Sequence, residues 1–470
     1  MKRIAIIGGG ISGLSAAFAL EKQRRAGVSV EYLLYEANSR PGGVILSERV
    51  DGCLVEAGPD SFLTEKPWAA DLCRELGIGD QLVGSNDSQR RTYILVHGKL
   101  IPIPDGLVFM VPTKVLPIAL SPLFSFSTKL RMAREWFNPP CRAQGDESVA
   151  SFVERHYGNE MVERVADPLL SGIYGGEALN LSLQAVLPRF AGMEGSHGSL
   201  ARAISANHRH EVDKIPRPLF TTLKEGMQQL VNAIGLQLPA ACIRFNAPVQ
   251  SLRCAESRWI VAASNTSEQF DAVIAAVSAH AAAKLLDFSI PAIASELRGI
   301  PYSSSVTVSL GYDDDEKNRA SLPAGFGFLV PRSEGKRILA VTFVHNKFAN
   351  RAPERRAIIR CFLGGTRDEP VLDLGEDEIL RIVRKELRDI LHIDAEPMFS
   401  RVYKWKAAMA QYNVGHLERL QRIEQLRMRT PGLFLAGNAY NGIGVPDCLR
   451  SGTQAAMDAL SAMKEPISVA

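Results

Sequence analysis

Two hydrophobic periods share this chain of 470 residues: short unbroken apolar runs, and stretches where apolar positions recur every three or four residues. Residues 2–7 (KRIAII) and 30–35 (VEYLLY) are of the first kind and predict parallel strands buried on both faces. The Ala-rich residues 15–20 between them predict a helix. Residues 270–277 (FDAVIAAV) and 432–436 predict two further buried strands, and 249–252 and 259–262 two short ones that return to the same domain. Residues 90–103 predict a hairpin turning at His97-Gly98. Residues 300–311, 326–330, 337–344 and 357–363 alternate and are β-branched, which predicts an antiparallel sheet in a second domain. Helical periods fall at 67–76, closed by Gly77, and at 147–157, 159–170, 376–391 and 446–463. Positions 449, 452, 453, 456, 460 and 463 give the last of these one apolar or small face. Residues 191–217, rich in Gly, Ser, His and basic side chains, predict a mobile loop.

The chemistry sits where strand turns into helix. Between the first strand and helix lies Gly8-Gly9-Gly10-Ile11-Ser12-Gly13, and Glu36 ends the second strand. Strand, glycine turn, helix and acid follow the order of a dinucleotide site. Gly8 allows the tight turn, Gly10 the approach of a pyrophosphate, and Gly13 close helix–strand packing. The helix start holds phosphates by its free N–H groups, and Glu36 meets a ribose hydroxyl pair. A second cluster, Arg40-Pro41-Gly42-Gly43, follows the acid. At the other end of the chain, the loop 437–445 leads into a helix with Pro446 in its first turn. A helix start aimed at a bound nucleotide stabilises negative charge that develops there.

Bulk properties narrow the classes. The length predicts two or three domains. Hydrophobic residues make up 46% and charged residues 22%, as in a globular enzyme. A net charge of +3 gives no case for nucleic acid. The seven cysteines are odd in number and hold no C-x-x-C, so reduced thiols, no metal site and a cytoplasmic setting are expected. A strand beginning at residue 2 leaves no room for a leader peptide. The most apolar region, 107–126, is interrupted by Pro112, Pro117, Pro122 and Lys114 and is too short between breaks to span a bilayer. Its residues suit a helical core, or a face for a membrane or an apolar substrate channel.

Motifs along the whole chain, GGGISGL, EANSRPGG, GPDSFL, PLLSGIYGG, Trp405 with AQYNVGH at 410–416, and AGNAYNGIGVPDC, resemble the oxygen-dependent, FAD-containing porphyrinogen oxidases of heme biosynthesis, in the flavin amine oxidase superfamily. The soluble bacterial type is most similar. The resemblance implies a fold of α/β class. A discontinuous Rossmann-like FAD-binding domain (1–57, 218–290 and 398–470) carries an inserted antiparallel-sheet substrate domain (58–89 and 291–397). A helical, partly apolar subdomain (90–217) completes it.

It also implies six-electron oxidation of coproporphyrinogen III or protoporphyrinogen IX in three rounds. Each passes a hydride to the flavin and ends with oxygen reduced to hydrogen peroxide. By position, Gly8, Gly9, Gly10, Ile11, Ser12, Gly13, Glu36, Ala37, Arg40, Gly42, Gly43, Val44, Gly58, Pro59, Asp60, Ser61, Val249, Trp405, Gly437, Asn438, Ile443, Gly444 and Val445 are implied as FAD contacts. Lys66 is implied to face a substrate propionate, with Ile173 and Tyr174 lining the macrocycle cavity. Arg202, Arg209, Lys214 and Arg217 are candidates for further propionates. His416 is expected to fix a turn.

The chain departs from the family pattern at Val44, where a polar or basic residue is common, and at Lys224-Glu225-Gly226, which keeps one glycine of a pair. With no nucleophile–His–acid pattern, no side chain stands out as catalytic. An amine oxidase, a carotenoid-type desaturase and a non-catalytic FAD- or porphyrin-binding protein remain alternatives at this level. The partners implied are the porphyrinogen and molecular oxygen, with a peripheral membrane contact and contacts to other heme-pathway enzymes left open.

Overall fold

The computed structural model describes residues 2–141, 145–208, 217–255, 258–264, 266–313 and 322–463. Lys2–Ile7 is the middle strand of a five-stranded parallel sheet, ordered Ile243–Arg244, Val30–Tyr35, Lys2–Ile7, Ala272–Ala275, Leu433–Leu435. Three distant parts of the chain therefore close one sheet. Ile4, Ile6 and Leu34 face helices Ile11–Arg25, Gln228–Leu236 and Val445–Ala462 on one side. Ala5, Ile7, Leu33 and Tyr35 face the other side. Both faces are buried, so these strands read as continuous apolar runs.

On that second face lies an antiparallel sheet of Val249–Ala255, Arg258–Ala263 and Thr266–Phe270. Trp259 fills the space between the sheets, fully buried, its indole N–H donating to Pro431 O at 3.0 Å. The predicted strands at 249–252 and 259–262 thus cover the parallel sheet rather than extend it.

A seven-stranded sheet forms a separate layer, ordered Phe399–Ala410, Tyr302–Asp313, Arg356–Gly364, Ile338–Phe343, Gly327–Leu329, Thr92–Val96, Lys99–Pro102. Pairing is antiparallel except between Gly327–Leu329 and Thr92–Val96. The sheet takes strands from outside its expected segments. The hairpin at 92–102 joins one edge rather than the helical region, and Phe399–Ala410 joins the other rather than the cofactor sheet. The amphipathic helix Glu376–Leu391 covers the sheet through Ile379, Val383, Leu387 and Ile390.

The helical region packs on its own core of Ile118, Met132, Phe152, Tyr157, Val165 and Leu170. Here one expectation is overturned. Residues 191–208 are not a loop: Pro188–His197 and Leu200–His208 are helices broken at Gly198, whose φ is +73°. Buried Glu135 accepts hydrogen bonds from Ser199 Oγ at 2.9 Å and the Leu200 N–H at 2.5 Å. A partner 64 residues upstream thus caps the second helix, and local composition carries no trace of it. Residues 209–216 of the expected loop, with Arg209 and Lys214, lie outside the described residues.

Candidate functional site

The first helix begins immediately after the first strand because Gly8, at φ +104°, turns the chain where a side chain would strike Ala276 and Val277. A Cβ on Gly13 would overlap the Gly8 carbonyl oxygen, so only glycine lets the helix start lie this close to the strand. The first intrahelical bond runs from the Leu14 N–H to Gly10 O at 2.9 Å. The Ile11, Ser12 and Gly13 N–H groups are left without an intrahelical acceptor. A Cβ on Gly10 would meet nothing within 4 Å, so this turn opens onto free space.

Gly42 and Gly43 form the opposite wall. Gly42 N–H donates to Gly9 O at 2.8 Å, and Gly10 and Gly42 form a parallel bridge. Glu36 is buried at the foot of this concavity, where Oε2 accepts the Gly9 N–H at 2.7 Å and Oε1 accepts Asn38 N–H at 2.8 Å. Ala37 follows it. Val249 lies two residues past Ala247, whose N–H donates to Glu36 O at 2.9 Å. The Arg40 guanidinium does not reach into the concavity: it donates to Pro41, Gly43 and Ile45 carbonyls and shapes its own loop.

Val44 extends this wall to Gly58. A Cβ on Gly58 would overlap Val44 O, so the two backbones touch. Trp405 Nε1 donates to Ala57 O at 2.9 Å, and Arg360 donates to Gly58 O. Beyond Pro59, the Asp60 and Ser61 side chains turn to a buried cation: Lys347 Nζ lies 3.0 Å from Asp60 Oδ2 and 3.2 Å from Ser61 Oγ. Burial pushes the Asp60 carboxyl up, but Lys347 and Arg360 outweigh it and hold the group well below the usual carboxylate range. Glu56 and Arg351 belong to the same buried network, at 3.4 Å.

The C-terminal segment meets this cradle directly. A Cβ on Gly452 would overlap Ser12 O, and Ser15 Oγ donates to Leu449 O at 2.8 Å. The start of helix Ile11–Arg25 therefore packs against the second turn of helix Val445–Ala462. The loop between Gly437 and Val445 is fixed by Tyr412, whose phenol donates to Asn438 O and accepts the Gly442 N–H, both at 2.8 Å. Asn438 Nδ2 donates to Ala408 O, and Ile443 leads to Gly444, whose N–H donates to Asp447 at 3.2 Å.

His416 stacks under Tyr412, centroids 4.2 Å apart and planes 12° apart. Burial, reinforced by Arg419, pushes its pKa down to about 4. Neutral His416 is thus required by the fold. Its contribution is intact above the unfolded value of 6.5 and is lost as pH falls towards 4. His416→Gln is expected to remove about 2 kcal/mol of the wild-type stability loss between pH 7 and pH 5. Urea unfolding at the two pH values measures it, and parallel losses in both proteins would contradict it.

Lys66 lies at the cradle's other side. Its Nζ is 2.6 Å from Asp447 Oδ2; Asp447 is buried, while 37% of the Lys66 side chain remains exposed. Arg450 Nη2 is 3.9 Å from Asp447 Oδ1 and stacks over Trp68 at 4.2 Å. Two cations against one carboxylate leave an excess positive charge here. Tyr174 is nearby: burial first, then the Asp447 charge, push its phenol up to about 12. Ile173 beside it is exposed.

Of the basic candidates, Arg202 is not free for a ligand, since it donates to Asn138 and His197 carbonyls. Arg217 is exposed. Among the described residues, no group of His, Cys, Asp or Glu could hold a metal ion. Sequence reasoning quoted Tyr412 and Asp447 inside motifs without giving either a role, and missed Lys347 and Arg360. Only Asp447 left a local signal, an acid in a helix's first turn.

The profile of the flavin containing amine oxidoreductases matches residues 11–460. The chain belongs to this family. Coproporphyrinogen III oxidase of Bacillus subtilis (strain 168) is 35% identical over 98% of both chains. The protein of that name from Staphylococcus aureus (strain NCTC 8325 / PS 47) is 30% identical over 98% of this chain and 99% of its own. The crystal structure of an Exiguobacterium sp. 255-15 protein described as a protoporphyrinogen oxidase superposes with a TM-score of 0.88 at 28% identity, covering 99% of each chain. Putrescine oxidase shares the fold alone, with a TM-score of 0.67 at 20% identity.

This flavin amine oxidoreductase is FAD-dependent. Its residues fit the cofactor: Gly10 faces open space, three helix-start N–H groups precede the first intrahelical bond, and a buried carboxylate stands at the foot.

Proposed function

We propose that this flavoenzyme oxidises a porphyrinogen, coproporphyrinogen III before protoporphyrinogen IX, in heme biosynthesis: porphyrinogen + 3 O2 → porphyrin + 3 H2O2. The carrying observation is the full-length likeness to coproporphyrinogen III oxidases, on a chain whose two ends build one nucleotide cradle. Gly8 to Gly13, Gly42, Gly43 and Val44 would hold the FAD pyrophosphate side, with Glu36 on the ribose. The Gly58 to Ser61 backbone, Trp405 and the 437–445 loop would hold the ring side. Bound FAD supplies the acceptor for a hydride from a porphyrinogen carbon.

The chain's own side chains bind and orient. The excess positive charge of Lys66 and Arg450 over Asp447 suits a propionate, since a half-buried carboxylate needs a cation. Tyr174, neutral at ordinary pH, offers a hydroxyl and an aromatic face. Tyr412 and His416 keep the loop at the C-terminal helix start in shape.

Lys66→Met is expected to raise KM about five- to tenfold and change kcat little, because the contact is shared by ground and transition states. An unchanged KM would remove Lys66 from the substrate site. The reading itself is tested by supplying coproporphyrinogen III and protoporphyrinogen IX in air to the FAD-loaded protein. Growth of porphyrin fluorescence with three peroxides per porphyrin, faster with the first substrate, supports it. Peroxide from amines and none from either porphyrinogen overturns it.

A further inference from the structure

Residues 57–61 are backed by buried charge. Lys347, Arg351 and Arg360 stand there with Glu56 and Asp60, and none of the three cationic side chains is more than 11% exposed. Lys347 Nζ is 3.0 Å and Arg360 Nη1 3.9 Å from Asp60 Oδ2, and Arg351 Nη2 is 3.4 Å from Glu56 Oε1. Three cations thus meet two carboxylates. Burial pushes the Glu56 carboxyl up, which can only lessen the negative charge. The exposed charges around the cluster cancel in pairs, Arg49 with Glu225 and Arg401 with Glu48.

The excess is not satisfied within the protein. Arg360 Nε and Arg351 Nη1 are buried and have no hydrogen-bond partner among the described residues. A buried cation short of acceptors is costly, and a negative charge on a bound ligand offsets that cost. The backbone of the same segment has the same polarity. The Ala57, Gly58 and Asp60 carbonyls accept from Trp405, Arg360 and Thr222. The Gly58, Asp60 and Ser61 N–H groups have no acceptor among the described residues. Three acceptors filled and three donors open favour negative charge beside this segment.

We infer that Lys347, Arg351 and Arg360, outnumbering Glu56 and Asp60, are positioning residues that act through residues 57–61 to make the site hold reduced FAD more tightly than oxidised FAD. The assignment rests on the reading, proposed above, that the Gly58 to Ser61 backbone holds the ring side of FAD. A hydride from the porphyrinogen carbon brings two electrons and one proton, so the substrate is oxidised and the ring gains one negative charge. An excess of buried cations lowers the free energy of that charged form and so raises the reduction potential. Passing two electrons and two protons on to O2, one proton from the ring and one from solvent, gives H2O2 and restores the neutral ring.

Dye-coupled reduction of the full-length, FAD-loaded protein, without porphyrinogen, reads the potential. Lys347→Met removes one cation. It is expected to lower the ratio of reduced to oxidised flavin at a fixed dye potential by about tenfold, a fall of about 30 mV for a two-electron couple. Asp60→Asn removes one negative charge and should raise the ratio by a similar factor. Asp60→Asn/Lys347→Met keeps the wild-type net charge and should return to within about threefold of wild type. If Asp60→Asn does not retain FAD, the fall in Lys347→Met and its reversal in the double variant carry the same test. Shifts of one sign in every variant overturn the inference, because a packing role has no sign; so do unchanged potentials. Unchanged potentials in variants that still form porphyrin overturn this inference alone. The expected shifts in a protein that leaves both porphyrinogens untouched overturn the substrate reading alone.

Discussion

Gly452→Val is expected to purify without colour. The substituted Cβ falls on Ser12 O, backbone that cannot yield without moving the first helix off its strand. Forcing methyl groups into such a contact costs about 1–3 kcal/mol, and the shift falls on the start of the first helix, which forms the cradle. A loss of FAD affinity of at least about a hundredfold follows, which corresponds to about 2.7 kcal/mol. Gly235→Ala is the matched control: it is also helical, and its Cβ would meet nothing within 4 Å. There FAD affinity should hold, with stability rising by up to about 1 kcal/mol. Titration of FAD into both flavin-stripped variants decides the matter, and equal affinities would show that the contact between the two helices does not shape the cradle.

Asp60→Asn is expected to destabilise the protein by about 3–5 kcal/mol even without FAD, because it leaves Lys347 and Arg360 buried beside a neutral group. Asp60→Asn/Lys347→Met should recover part of that loss, since it removes a cation along with its partner. The carboxyl titrates well below the ordinary range, so its contribution is present above the unfolded carboxyl's pKa and disappears only in strong acid. Acidification to pH 5 therefore draws on His416 and not on Asp60. Denaturant unfolding of the flavin-free proteins measures the effect. Wild-type stability with impaired FAD binding alone would assign Asp60 to the ligand rather than to the network.

The parts of this molecule that were legible are those whose cause is local. The apolar runs at Lys2–Ile7 and Val30–Tyr35 match their strands residue for residue; the last four residues of each are buried, and the charged Lys2, Arg3 and Glu31 stand only at the strand starts. Val445–Ala462 begins one residue before the expected helix, with Pro446 in its first turn, where no intrahelical hydrogen bond is lost. What was not legible depends on partners far along the chain. Phe399–Ala410 alternates weakly, since most of its positions are only half-buried and Arg401, Lys404 and Lys406 interrupt the apolar ones; only pairing with Tyr302–Asp313 makes it a strand. Leu200–His208 takes its cap from Glu135, and composition alone read it as a loop.

The site divides in the same way. Gly8 and Gly13 announced the cradle because they answer to a turn and a close approach within their own motif. The Lys347–Asp60 and Lys66–Asp447 pairs join residues 287 and 381 positions apart, and no local pattern encodes them. The Lys66 cation was legible, but its buried counter-charge Asp447 was not. That counter-charge makes it half of a pair rather than a lone propionate ligand.

The central claim is that helix starts at opposite ends of the chain hold one flavin nucleotide between them. Titrating flavin-stripped wild-type protein with FAD, followed by quenching of flavin fluorescence, tests it most directly. The account predicts saturation at one FAD per chain with restored yellow absorbance. Fluorescence that stays unquenched through the titration would contradict it.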